Sequence, residues 1–152
     1  PNLLTHVFVY GTLMPGGRWE HVARQNTPQG YRVQSATLAE ALLADLQPES
    51  YPALFRRVGA KAPAAPVQGY LYSYSPADWP QVLPLLDELE GVDLHPPLYR
   101  REACEVMTQR GPASAWVYVY ARPQRCLESG LRWLSGGCWN GELTLDSARA
   151  IL

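Results

Sequence analysis

The segment LLDELEG carries acidic residues at Asp87, Glu88 and Glu90. Residues 76–89 read as a helix. On a wheel of about 100° per residue, Trp79, Leu83 and Leu86 fall within about 60° of one another, with Val82 at the margin. Continuing that wheel puts Glu90 about 20° from Trp79, Glu88 nearly opposite, and Asp87 off to one side. Glu90 is therefore the acid that follows the apolar stripe. A carboxylate carried inward is desolvated, and the negative end of the helix dipole also opposes its charge. Both effects raise its pKa and suit it to take and return a proton near neutral pH. A second outcome stays open: if the helix ends early, Glu90 turns to solvent or pairs with Arg100 or Arg101.

Other chemistries fit the residue types less well. Asp87 and Glu90 as metal ligands lack the further oxygen donors and the His-Asp cluster that a hard cation needs. Cys104 with His6, His21 or His95 is the available thiol-imidazole combination, yet none of them sits in a nucleophile motif. The stretch YGTLMPGG at 10–17 lacks the lysine and spacing of a phosphate-binding loop. Pro1 reads as the residue after a removed initiator methionine, or as a chain boundary, rather than as a catalytic amine.

The elements that must position Glu90 are mostly strands. Alternating or β-branched runs predict strands at 6–10, 67–74, 100–107 and 115–120, with weaker signals at 31–38 and 53–58. Residues 57–66 read as an Ala-Pro-rich surface loop and 21–30 as a brief helical turn running into a loop. For the helix, Ser75 is the expected N-cap, Pro76 the first helical residue, and Asp78 the partner in a capping-box-like pair. Gly91 is expected to end it in a left-handed conformation. A second, short helix is predicted at 144–152. Strands dominate without strict βα alternation, which predicts one α+β domain over 1–152 with a curled sheet or small barrel.

Composition narrows the partners. Thirteen basic and fourteen acidic residues give a net charge of -1, with no run of like charge to attract nucleic acid or an anionic membrane. A small, roughly neutral partner is expected instead. Cys104, Cys126 and Cys138 are odd in number and widely spaced, which argues against a disulfide framework or zinc site and predicts a reducing cytoplasm. No apolar run approaches the ~20 residues of a membrane span, and no export signal is legible at the N-terminus.

Several segments together carry a resemblance. VFVYGTL at 7–13, VQGYLY at 67–72, LLDELEG at 85–91, LYRRE at 98–102 and WVYVY at 116–120 resemble, in that order, the gamma-glutamyl cyclotransferase-like family. SGGCW at 135–139 is similar to a late segment of that family. The resemblance implies a small mixed β-barrel flanked by a few helices, and release of 5-oxoproline from a small gamma-glutamyl compound. It implies Glu90 as the catalytic acid and base, Tyr10, Gly11, Thr12 and Leu13 as the substrate-binding loop, and Tyr120 as a further substrate contact. It also implies no metal and no organic cofactor. On this reading Gly11 lets the substrate approach the backbone closely, and backbone N-H groups at the strand end receive its anionic oxygens.

The chain departs from the family at Met14-Pro15-Gly16-Gly17-Arg18-Trp19, where many relatives place a basic residue, a glycine and then an asparagine. That leaves open which amine departs, as it leaves open the oligomeric state. HPPLY at 95–99 is expected at the pocket rim. Two alternatives accompany the cyclotransferase reading: a non-catalytic module binding a gamma-glutamyl or amino-acid-like ligand, and an enzyme that removes gamma-glutamyl protecting groups from biosynthetic intermediates.

Overall fold

The runs at 7–10 and 117–120 are buried at every position, so these strands have to be covered on both faces. The computed structural model describes residues 4–39, 41–46, 51–56, 66–122 and 131–134. In chain order the elements are β1 (His6–Val9), α1 (Glu20–Arg24), β2 (Tyr31–Leu38), β3 (Ala41–Leu46), β4 (Tyr51–Arg56), β5 (Val67–Tyr74), α2 (Trp79–Leu89), β6 (Tyr99–Thr108), β7 (Gly111–Tyr120) and β8 (Leu131–Trp133). Five strands close a barrel in the order β1-β5-β2-β6-β7. β1 joins β7 in parallel and the other pairs are antiparallel, so the barrel is mixed. A separate antiparallel sheet has the order β4-β3-β8. The α+β barrel expected from the sequence is the observed fold.

Alternation along the strands divides the apolar residues between two cores. Phe8, Ala36, Leu71, Val106 and Val117, one from each barrel strand, meet in the first. The other parity of β1, β5 and β7, including Val9, Tyr72 and Tyr118, packs with Trp79, Val82 and Leu86 of α2 in the second. Phe8, Tyr72 and Val82 are completely buried. Burying a side chain of this kind stabilises by roughly 1.5–3 kcal/mol, which is why two short helices suffice to hold the outer face.

The helix starts later than expected. It begins at Trp79 with Asp78 at its N-cap, and no side chain caps it. The Ser75 hydroxyl instead accepts from the N-H of Ala77 at 3.2 Å, closing a turn ahead of the helix. Asp78, whose carboxyl was expected to complete a capping box, accepts from the N-H of Gln29 at 3.0 Å and so ties down the loop after α1. The C-terminus follows the sequence: Gly91 has φ +65°, and the N-H of Val92 reaches back to Asp87 O at 3.2 Å.

Two strands, β3 and β8, were not legible, and one boundary was misplaced. β3 is ALLADL, without β-branched residues, and owes its conformation to pairing with β4 and β8. β7 begins at Gly111, earlier than the expected residue 115, because it pairs with β6 along its whole length. The predicted helix at 144–152, SGGCW at 135–139, and the loop at 57–66 apart from Pro66 lie outside the described residues. Among those described, no helix is long and apolar enough to cross a membrane.

β5 crosses β1 very closely. A Cβ at Gly69 would stand 2.2 Å from Val9 O and 2.9 Å from the Phe8 ring. Gly69→Ala is therefore expected to destabilise the fold by about 1–3 kcal/mol, the range for forced overpacking. A urea midpoint unchanged from the native chain would refute this contact as a constraint.

Candidate active site

The strand β1 runs into a loop in which the carbonyls of residues 11–13 are all committed. Gly11 O accepts from Met14 N-H at 3.0 Å, Thr12 O from Trp19 N-H at 2.9 Å, and Leu13 O from the Tyr72 hydroxyl at 3.0 Å. The N-H groups of Gly11, Thr12 and Leu13 have no acceptor among the described residues. A backbone held by its carbonyls with adjacent N-H groups left over is a concavity for an anionic oxygen. These residues line a cavity of about 160 Å³.

The glycine in this loop has a reason beyond the one expected. Gly11 is not in the left-handed region, but a Cβ there would lie 2.1 Å from Cγ and 2.9 Å from Cδ of Pro52. What a side chain there would meet is the proline ring of β4, a constraint the sequence did not show, and Gly11 also lines the cavity. Pro52 itself lines the cavity. Its carbonyl accepts from the hydroxyl of Tyr99, another lining residue.

Glu90 closes the cavity from the other side, as the residue that caps α2. It continues the buried stripe of Val82 and Leu86 by one further turn, so the wheel placed it correctly. Neither arginine that the sequence offered as a partner is available to it. Arg101 pairs with Asp87, with Nε and Nη2 at 3.0 and 3.2 Å from the two carboxylate oxygens. Arg100 pairs with Glu102 at 3.3 Å on the surface. Glu90 keeps a window to solvent through the cavity but is otherwise packed round by protein. Burial, and then the negative charge of Asp87, push its pKa from 4.5 up to about 8.

Tyrosines complete the wall. Tyr10 donates its hydroxyl to Tyr118 O, and burial together with the nearby Glu90 raises its pKa well above the usual value. Tyr118 lines the cavity and donates to Asp87 Oδ1 at 2.7 Å. Burial and that hydrogen bond hold the Tyr118 phenol protonated. Tyr120, expected to touch substrate, is not among the lining residues. Its ring packs edge-on against Tyr99 and Phe55, at 5.5 and 5.7 Å between centroids, behind the wall. Tyr99 and Tyr118 hold the places that the sequence reading gave to Tyr120. Their signal was present in LYRRE and WVYVY, but which tyrosine of an alternating strand faces the cavity depends on where the strand ends. The expected rim at 95–99 is represented by Leu98 and Tyr99.

The rival chemistries are placed elsewhere. Both oxygens of Asp87 are occupied by Arg101 and Tyr118, which leaves it turned away from a shared cation site with Glu90. Cys104 lies in the barrel core with its sulfur against Arg56, and burial pushes the thiol up. His6 shares a hydrogen bond with Ser73 at 2.7 Å.

The proton on Glu90 links the site to stability. Between pH 4.5 and about 8 the unfolded chain has ionised this carboxyl while the folded chain still holds its proton. The native state then binds more protons, so stability falls as pH rises through that window. Glu90→Gln removes this contribution. Its melting temperature is expected to exceed that of the native chain by a margin that widens across the window and levels off above it. A margin independent of pH would contradict the buried, proton-holding carboxyl.

Comparison with known proteins agrees with this fold. A structure of an AIG2-like protein from Mus musculus matches with 23% identity over 79% of each chain and a TM-score of 0.59. A uropathogenic Escherichia coli-specific protein matches with 17% identity over 91% of this chain and 94% of that one, at 0.57. Bacillus subtilis YkqA matches with 18% identity over 90% of this chain and 40% of its own longer chain, at 0.60. A search of curated proteins returned no match. The family model described as "Gamma-glutamyl cyclotransferase, AIG2-like" matches residues 7–141. With that match, a mixed barrel and Glu90 set opposite the strand-end loop, the chain belongs to the gamma-glutamyl cyclotransferase, AIG2-like family.

Proposed function

We propose that the protein is a cyclotransferase-type enzyme that releases 5-oxoproline from a small gamma-glutamyl amine or amino-acid compound, with Glu90 as general acid and base. The observation that carries this reading is the packed carboxyl of Glu90, without an ion-pair partner among the described residues, in the same cavity as the N-H groups of Gly11, Thr12 and Leu13, which have no acceptor among those residues. The substrate's alpha-ammonium cannot attack until it loses a proton. The ionised form of Glu90, whose pKa of about 8 makes it a stronger base than an ordinary carboxylate, takes that proton. The freed amine attacks the gamma-carbonyl carbon, forming the ring C-N bond. The amide C-N bond then breaks, and Glu90 returns the proton to the departing amine. The N-H groups of residues 11–13 supply donors for the substrate's alpha-carboxylate or for the oxygen that gains charge. Nucleophile and electrophile share one molecule, so holding the substrate folded supplies much of the rate. The carboxyl and donors present serve every step, and the reading assigns no metal or organic cofactor.

The glutamyl half is met by Glu90 and the strand-end loop, which assigns the departing amine to the side of Arg18 and Trp19. Both line the cavity from the segment that departs from the family pattern. A panel of gamma-glutamyl amino acids, gamma-glutamyl amines and glutathione, assayed for 5-oxoproline with the departing amine identified by mass spectrometry, tests the reading. At least one member should be cleaved. Glu90→Gln should lower kcat by about 10²–10⁴-fold with ligand binding retained by calorimetry. Binding without cleavage by the native chain, across the whole panel, would make it a binding module instead.

A further inference from the structure

Asp87 stands three residues before Glu90 on α2, close enough along a helix for the two charges to interact. It was set aside above as a metal ligand, yet it is held more firmly than any other acid at the site. Arg101 grips both its oxygens, and its Oδ1 also accepts from Tyr118. The pair is mostly buried, with 23% of the Arg101 side chain and 16% of the Asp87 side chain exposed. Arg101 is fixed in turn, its guanidinium carbon lying 4.6 Å from the centre of the Trp116 ring, whose Nε1 donates to Leu4 O at 3.0 Å. Tyr118 passes the restraint on, because its carbonyl accepts from Tyr10. One carboxylate thus ties α2 to β6 and β7, and fixes a tyrosine of the cavity wall.

We infer that Asp87 is a positioning residue for Glu90: clamped by Arg101, it fixes the Tyr118 ring in the cavity wall and sets the net charge against which Glu90 works. This rests on Glu90 being the proton carrier of the proposed function. The other groups that line the cavity with Glu90 are Tyr10 just after β1, Tyr118 from β7, Tyr99 from β6 and Arg18. Burial holds Tyr10 and Tyr118 protonated, and Arg18 is common to every variant compared, so the balance between Asp87 and its arginine is the part that the variants change. Removing Asp87 leaves Arg101 uncompensated and makes ionisation of Glu90 easier. Removing Arg101 leaves Asp87 uncompensated and makes it harder.

The test follows the carboxyl carbon of Glu90 by NMR in protein labelled with 13C-glutamate, assigned by the peak that Glu90→Gln abolishes. Asp87→Asn is expected to move its titration midpoint down, and Arg101→Met to move it up, each by roughly half a unit to one unit. Asp87→Glu should restore most of the native midpoint. Shifts of the same sign in both variants, or no shift in either, would overturn the inference. If Asp87→Asn does not fold, Arg101→Met decides alone: it keeps the Asp87 charge, and a midpoint that fails to rise refutes the proposal. These readouts need no turnover, so they stand apart from the fate of the cyclotransferase reading. Where 5-oxoproline is released, the pH limb of kcat should move with the NMR midpoint, and a limb that stays put while the midpoint moves would likewise overturn the inference.

Discussion

Everything at the site follows from one unfavourable placement, a carboxyl brought into a packed wall with no ion-pair partner among the described residues. Water would stabilise the ionised form by far more than this surrounding does, so the group keeps its proton instead of its charge. The helix makes this unavoidable. Trp79, Val82 and Leu86 bind α2 to the barrel, and Glu90 is the next residue on that line. Rotating the helix to free Glu90 would expose the apolar stripe. A residue that loses solvation is therefore held in place by neighbours that gain from burial.

The same economy of charge explains the arginines. LYRRE puts two guanidinium groups just after the helix, and either of them beside Glu90 would lock it as a carboxylate. The strand alternation sends Arg100 outward to Glu102, and Arg101 is occupied by Asp87 and stacked on Trp116. Asp87 thus keeps a cation away from Glu90 while adding a negative charge of its own. Of the two carboxyls on one helix end, Asp87 is paired with Arg101, while Glu90 has no such partner among the described residues and burial pushes its pKa up.

The parts of this arrangement that depend on local pattern were readable in the residues. The wheel placed Glu90, alternation placed the barrel strands, and Gly91 ended the helix as expected. What failed depended on partners distant in the chain. β3 has little strand preference of its own and exists through β4 and β8. Asp78 resembled half of a capping box but is claimed by Gln29. Tyr120 and Tyr118 share a strand face, but Tyr118 lines the cavity while Tyr120 packs against Tyr99 and Phe55. Asp87 was judged by its angle on the helix, which does not reveal that Arg101 and Tyr118 converge on it.

The contact between Gly11 and Pro52 separates architecture from chemistry within a single motif. The glycine is required by a ring from the neighbouring sheet, whether or not any ligand enters the cavity. A descendant of this chain that abandoned turnover would still need it, and would still display the same strand-end signature. Glu90 has no such structural protection, since the fold is easier to maintain without a desolvated acid. In a lineage drifting away from catalysis the glutamate would be lost early and the glycine late, so the pair, and not the glycine-bearing loop, distinguishes a working site from an inherited scaffold.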